Sequence, residues 1–240
     1  MLDADPLGRA MYDHVSDRPV GDLVYRDGAV TEPHDVVGTY LTDPADWSPA
    51  WRRRLASLDG PVLDVGCGTG KHATWLARGG REVVGIDSSP NAIQTARHRG
   101  LRNALVMDMF DLGFERDRFQ SALVLGTQSG LAGSLPGVSA FLTDLARVTT
   151  GDATAIVDSY DPAGLDPADF IGYRPDPRQG VARRSFHFEY DRPGGGREVG
   201  PALSFVLFGP DRLRDVLVGT PWELTAVWPE SAYYRTKLEK

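Results

Sequence analysis

The chain has 240 residues, 41% of them hydrophobic, enough for one α/β domain with a sizeable core and too few to require a second. A formal net charge of −7 disfavours duplex nucleic acid as a partner, because such affinity is built on lysine and arginine contacts to phosphate. One cysteine, Cys67, excludes an internal disulfide and a cysteine-based metal site, and no apolar run of about eighteen residues suggests a membrane span.

The first six residues are acidic and no charged-then-apolar leader follows, so a soluble, cytoplasmic protein is expected. Residues 6–15 and 50–58 carry the apolar spacing of helices, and residues 23–30 between them read as a small hairpin on Asp27-Gly28. Together residues 1–58 form a segment expected to cap a site. Tyr12 and His14, together with Tyr40, Trp47 and Tyr173, are candidates to wall a pocket or cover a ligand. The domain proper is expected over residues 59–240.

An apolar strand over 62–65, interrupted only by Asp64, runs into Gly66-Cys67-Gly68-Thr69-Gly70, and a helix pattern over 71–78 follows with Gly79-Gly80 as its stop. Glycines tolerate positive φ and let a ligand approach the backbone, so this turn is a cradle of N–H groups at a helix N-terminus. Residues 82–87 form a second strand ending in Asp87, with Ser88 next in line. A third strand starts at 103 and leads to Asp108 and Met109, and a fourth spans 119–126, ending in Leu125-Gly126. The polar turn Thr127-Gln128-Ser129 comes next, then a helix over 135–148 and a fifth strand over 153–160.

Residues 161–209 read as an insertion: a stretch rich in Pro, Asp and Gly, an alternating strand over 184–190, a glycine turn at 193–196 and a returning partner strand over 202–208. A last helix over 211–217 and strands over 222–228 and 233–238 would close the sheet, the terminal strand antiparallel. The fold class expected is therefore α/β: a doubly wound, Rossmann-like, seven-stranded sheet with an antiparallel last strand, an N-terminal cap and a β-hairpin insertion.

Three cofactor types compete for the glycine turn. A dinucleotide fingerprint needs Gly-x-Gly-x-x-Gly, whereas the glycines here are 66, 68 and 70, with Asp64 two residues upstream where a pyrophosphate would be repelled. A phosphate loop needs four residues between its first glycine and Gly-Lys, then Ser or Thr; here three intervene and His72 follows. What remains resembles the class I S-adenosylmethionine-dependent methyltransferases, whose first motif is acid-x-Gly-x-Gly-x-Gly and whose second strand ends in an acid. Asp64, Gly66, Gly68, Gly70 and Asp87 match, over a resemblance that runs from about residue 59 to 160.

The resemblance implies S-adenosylmethionine as cofactor, released as S-adenosylhomocysteine. It implies that Asp64, Gly66, Cys67, Gly68 and Gly70 form the methionine-side cradle, Asp87 and Ser88 face the ribose, and Asp108 and Met109 hold the adenine. Leu125, Gly126 and Tyr40 complete the cofactor-binding set. Thr127, Gln128 and Ser129, with Tyr12 and His14, are the acceptor-positioning candidates; no catalytic residue is required, because the sulfonium already activates the methyl group. The Pro-Pro-aromatic and Pro-Cys motifs of nucleobase methylation are missing after the fourth strand, and the histidines show no metal-ligand spacing, so a small-molecule acceptor and no metal are expected. Two other functions stay open: a catalytically silent S-adenosylmethionine-binding regulator, and a dinucleotide-dependent oxidoreductase, which the glycine spacing disfavours.

Overall fold

The structure, a computed structural model, describes residues 4–240. The chain opens with α1 (Pro6–Val15), β1 (Asp22–Asp27), β2 (Val30–Pro33), α2 (Val36–Tyr40) and α3 (Pro49–Ala56). Strands and helices then alternate: β3 (Val62–Val65), α4 (Lys71–Arg78), β4 (Val83–Asp87), α5 (Pro90–His98), β5 (Ala104–Val106) and β6 (Phe119–Val124). A short 3-10 turn at Gln128–Ala132 leads into α6 (Leu135–Val148) and the twelve-residue β7 (Thr149–Tyr160). After it come β8 (Tyr173–Pro175), β9 (Val181–Asp191), β10 (Arg197–Val199), β11 (Leu203–Phe208), α7 (Pro210–Leu217), β12 (Glu223–Glu230) and β13 (Tyr233–Glu239).

The larger sheet has seven strands in the order β12-β13-β7-β6-β3-β4-β5. Its β3–β4, β4–β5 and β6–β7 pairs are parallel, and β13 runs antiparallel to β7, as the sequence leads one to expect. By its contacts the chain divides into two compact units, one running to Met109 and including Phe186–Ala202, the other formed by Phe110–Ser185 and Leu203–Lys240.

In the first unit, β3 and β4 are buried on both faces, which is why they read as near-continuous apolar runs. Ala73 and Leu76 of α4 and Ala92, Ile93 and Ala96 of α5 are buried at helical spacing. Helix α5 lay outside the expected elements, although its signals are local: Ser89 accepts from Ala92 N–H as N-cap, and Pro90 occupies the first turn. The hairpin of β1 and β2 forms with Gly28 at φ 58°, and it is not isolated, because β1 also pairs with β9 in the order β10-β9-β1-β2. Tyr25 of β1 packs on Phe188 of β9 with ring centroids 4.9 Å apart.

The expected returning strand over 202–208 is β11, which pairs with β9, and an additional short strand, β10, answers the 193–196 turn directly. It is short and polar, so it shows no apolar alternation. Arg197 instead reaches Asp191 at 2.7 Å and Glu189 at 3.2 Å across the ladder.

In the second unit, β7 begins at Thr149 without a loop after α6, four residues earlier than the pattern suggested: Thr149 is already extended, at φ −107° and ψ 151°, and its Oγ1 donates back to Leu145 O. Phe119, Leu142, Leu145, Ile156, Phe208 and Leu238 are buried here, each such side chain contributing roughly 1.5–3 kcal/mol. Trp222 and Tyr234 carry polar atoms into the core and satisfy them: Trp222 Nε1 donates to Leu142 O at 2.8 Å and Tyr234 OH to Phe208 O at 2.6 Å.

Candidate functional site

Strand β3 delivers Asp64 to the base of the glycine turn, where it is 3% exposed. Burial pushes its carboxyl up to about 7; the N–H of Ala73 and the Lys71 ammonium oppose the shift, and the neighbouring Asp87 adds to it. Gly66, Gly68 and Gly70 all adopt positive φ, at 66°, 52° and 69°, so the alternating glycines answer a backbone requirement. At Gly70 a side chain would also meet Ala96 Cβ at 3.0 Å.

Strand β4 ends in Asp87, whose Oδ2 accepts from Gly68 N–H and Oδ1 from Ser89 N–H, both at 2.9 Å. The acid therefore braces the glycine turn against the first turn of α5. A carboxylate offers about four lone-pair sites, so these two bonds leave capacity for two hydroxyl donors. Burial is the main reason its pKa lies above the ordinary value, the two N–H donors pulling the other way.

Cys67 N–H bonds Ile86 O at 2.9 Å, and its side chain is buried; a Cβ at Gly85 would fall 2.9 Å from its sulfur, so Gly85 makes the room it occupies. Burial first, then Asp64 and Asp87, push the thiol well up from its ordinary pKa. Ellman's reagent should therefore leave the native protein unlabelled over an hour at pH 8 and react with one equivalent after denaturation; prompt native labelling would contradict this burial.

The segment before β3 closes on the turn through contacts that the sequence reading did not single out. Asp5 caps α1 by accepting from Gly8 N–H, and its other oxygen accepts from Ser89 Oγ and from Asn91 Nδ2, the latter at 2.8 Å. Met11, on the buried face of α1, lies 3.7 Å from where a Cβ at Gly68 would stand. Thr69 Oγ1 donates to Tyr40 O, and Lys71 Nζ to Thr39 O at 2.7 Å, which fastens α2 to the same turn.

Tyr12 and His14 sit beside that buried face. The Tyr12 ring carries the Arg18 guanidinium at 5.1 Å, and His14 Nδ1 bonds Ala10 O at 2.7 Å. Trp47 packs on α4, its ring 5.0 Å from His72 and 5.9 Å from Trp75. Ser88 and Asp108 are exposed, and Met109 is buried.

In the second unit, Leu125 and Gly126 follow β6, and Thr127 holds φ 59°, a left-handed conformation rare for a β-branched residue. Asp158 at the end of β7 accepts from the N–H groups of both Gly126 and Thr127 at 2.6 Å. Gln128 is half-buried, whereas Ser129 is fully buried with its hydroxyl unpaired among the described residues. Tyr173 opens β8 and is half-buried. No cluster of three or more His, Cys, Asp or Glu side chains that could hold a metal occurs among the described residues, and no described helix is long and apolar enough to cross a membrane.

A model of the methyltransferase domain matches residues 62–151. Over 98% of this chain and 94% of its own, the structure of a SAM-dependent methyltransferase from Bacteroides fragilis in complex with S-adenosyl-L-homocysteine superposes with a TM-score of 0.76 at 22% identity. Demethylmenaquinone methyltransferase of Tropheryma whipplei (strain Twist) is 35% identical over 130 residues, 52% of this chain and 52% of that protein. Cypemycin N-terminal methyltransferase of a Streptomyces species is 32% identical over 149 residues, 60% of each. The chain thus spans about half to three fifths of the length of these curated relatives. Residues 62–151 thus match the methyltransferase domain, and the sheet order and the superposition give the chain the fold of S-adenosylmethionine-dependent methyltransferases.

Proposed function

We propose that this protein transfers the methyl group of S-adenosylmethionine to a small-molecule acceptor. The observation that carries the proposal is the pairing, within one unit, of a buried acid with a three-glycine cradle braced by a second acid. Asp64, raised to about 7 by burial, suits a cationic ligand, and Asp87 retains two acceptor positions suited to a ribose diol. A bare phosphate or pyrophosphate would meet two carboxylates at this turn.

When bound, S-adenosylmethionine supplies a methyl group already activated by its sulfonium. Asp64 would hold the amino end, the N–H groups of the glycine turn its carboxylate, Asp87 and Ser88 the ribose, and Asp108 with Met109 the adenine. Leu125, Gly126 and Tyr40 are assigned supporting roles. Thr127, Gln128 and Ser129, and separately Tyr12 and His14, are assigned as acceptor-positioning candidates. The segment of residues 1–58, whose described part fastens to the turn through Tyr40 and Thr39 and to the start of α5 through Asp5, would exclude water from the transfer path. Methyl transfer then needs alignment and desolvation more than a general base.

The curated relatives include a demethylmenaquinone methyltransferase, a cypemycin N-terminal methyltransferase and a ubiquinone biosynthesis O-methyltransferase, so amines and phenols form the first panel to test. S-adenosylmethionine and S-adenosylhomocysteine should raise the melting temperature, a hundredfold excess over Kd stabilising by about 2.7 kcal/mol, while NAD and ATP should not. Stabilisation by NAD alone would overturn the assignment. Binding of S-adenosylhomocysteine with no transfer to any amine or phenol would favour a silent binding protein.

A further inference from the structure

We propose that Asp158 and Tyr233 are positioning residues that lock the Gly126–Thr127 turn in the shape the methyl acceptor requires; the proposal rests on the reading of residues 127–129 as the acceptor-positioning turn. Asp158 is 1% exposed, at the C-terminal end of β7. Its Oδ2 accepts from Gly126 N–H and its Oδ1 from Thr127 N–H, each at 2.6 Å, and the Tyr233 hydroxyl of β13 donates to Oδ2 as well. A single buried carboxylate thus gathers three donors, two of them consecutive backbone amides.

The turn so held is strained. Gly126 has φ 86° and Thr127 φ 59°, and threonine is the only β-branched residue among the described non-glycine residues with positive φ. Such conformations persist only where the surroundings over-determine them, and they concentrate at sites that need a fixed backbone. The far side of the turn is fixed too: a Cβ at Gly130 would fall 2.6 Å from Val206 O, so the 3-10 segment lies directly on β11. The sheet does not need the acid, because β6 and β7 already pair in register from Ser121↔Thr154 through Val124↔Val157. Its cost is met by the turn. Tyr233 keeps its proton, since burial and the adjacent Asp158 push its pKa up, so it acts as a donor to Asp158 throughout the working pH range.

Full-length wild type, Tyr233→Phe and Asp158→Asn are compared with S-adenosylhomocysteine as the binding probe. The phenylalanine keeps a ring beside Tyr160, 5.3 Å away between centroids, and removes only the hydroxyl. The asparagine keeps one accepting oxygen and replaces the other by an NH2 that cannot accept, so one of the two backbone N–H groups loses its partner. Amide exchange at Gly126 and Thr127, read by NMR, should accelerate at least tenfold in both variants, while the Kd for S-adenosylhomocysteine stays within threefold. On the amine and phenol panel kcat should fall at least tenfold with the cofactor KM within threefold, a split that a merely structural defect would not produce. Unchanged exchange in a folded Tyr233→Phe protein overturns the lock, and faster exchange with unchanged kcat overturns the positioning role. If Asp158→Asn fails to fold, Tyr233→Phe decides. If wild type binds no S-adenosylhomocysteine, it is the functional reading that fails, and the exchange rates still test the lock.

Discussion

Replacing Asp87 by alanine should weaken S-adenosylhomocysteine binding by at least a hundredfold. Two hydroxyl donors on a buried carboxylate make charge-assisted bonds of roughly 1.5–3 kcal/mol each, and every 1.4 kcal/mol is about a factor of ten. The same substitution orphans Gly68 N–H and Ser89 N–H, which Asp87 now accepts at 2.9 Å each, so the cradle itself loosens. Each unmet donor costs about 1–3 kcal/mol if it stays dry, and a lower melting temperature should accompany the lost affinity. Titration calorimetry with circular dichroism separates the two effects. A folded Asp87→Ala protein whose Kd lies within threefold of wild type would remove the ribose role.

The second large effect is a pH dependence centred on Asp64. Its folded pKa of about 7 lies above the ordinary 3.8, so between those values the folded chain holds a proton that the unfolded chain has lost. Stability of the ligand-free protein from this group is full below about 3.8, falls as pH rises, and levels off above about 7. At about 1.4 kcal/mol per unit the upper bound is near 4 kcal/mol. Asp64→Asn keeps an oxygen for Ala73 N–H but cannot ionise, so at pH 8 it should melt several degrees above wild type without ligand. It should also bind S-adenosylmethionine at least tenfold more weakly. In wild type, affinity should climb up to tenfold per pH unit below 7 and flatten above it, a slope missing from the asparagine variant. Equal pH profiles for the two proteins would show that Asp64 does not meet the cation.

What could be read from the sequence was what is local. Gly66, Gly68 and Gly70 announce their positive φ because the spacing lies within one turn, and the apolar runs of β3 and β4 announce strands buried on both faces. Asp87 was legible as the acid that ends β4. Its bond to Gly68, nineteen residues away, was not. The same holds for Asp5 on Asn91 and for Tyr233 on Asp158, separated by 86 and 75 residues, which are products of tertiary packing that no window of sequence displays. Met11 was hidden for another reason: an apolar residue on an amphipathic helix looks like core, and its closeness to Gly68 depends on how α1 docks on α5. β10 was missed because ion pairs, rather than alternation, hold it.

The ladder between β1 and β9 sets an order of events in folding. Gly21 N–H bonds the hydroxyl of Tyr190, 169 residues further on, and the β1 ladder runs beside it from Asp22↔Asp191 to Arg26↔His187. Pairing of this kind closes a long loop before it returns any contact energy, which makes it slow, and on the ribosome it must wait until β9 has emerged. The parallel strands β3 to β5 and their helices close far shorter loops and can assemble earlier. A nascent chain would therefore possess its glycine turn, with both acids in place, before β1 has found β9.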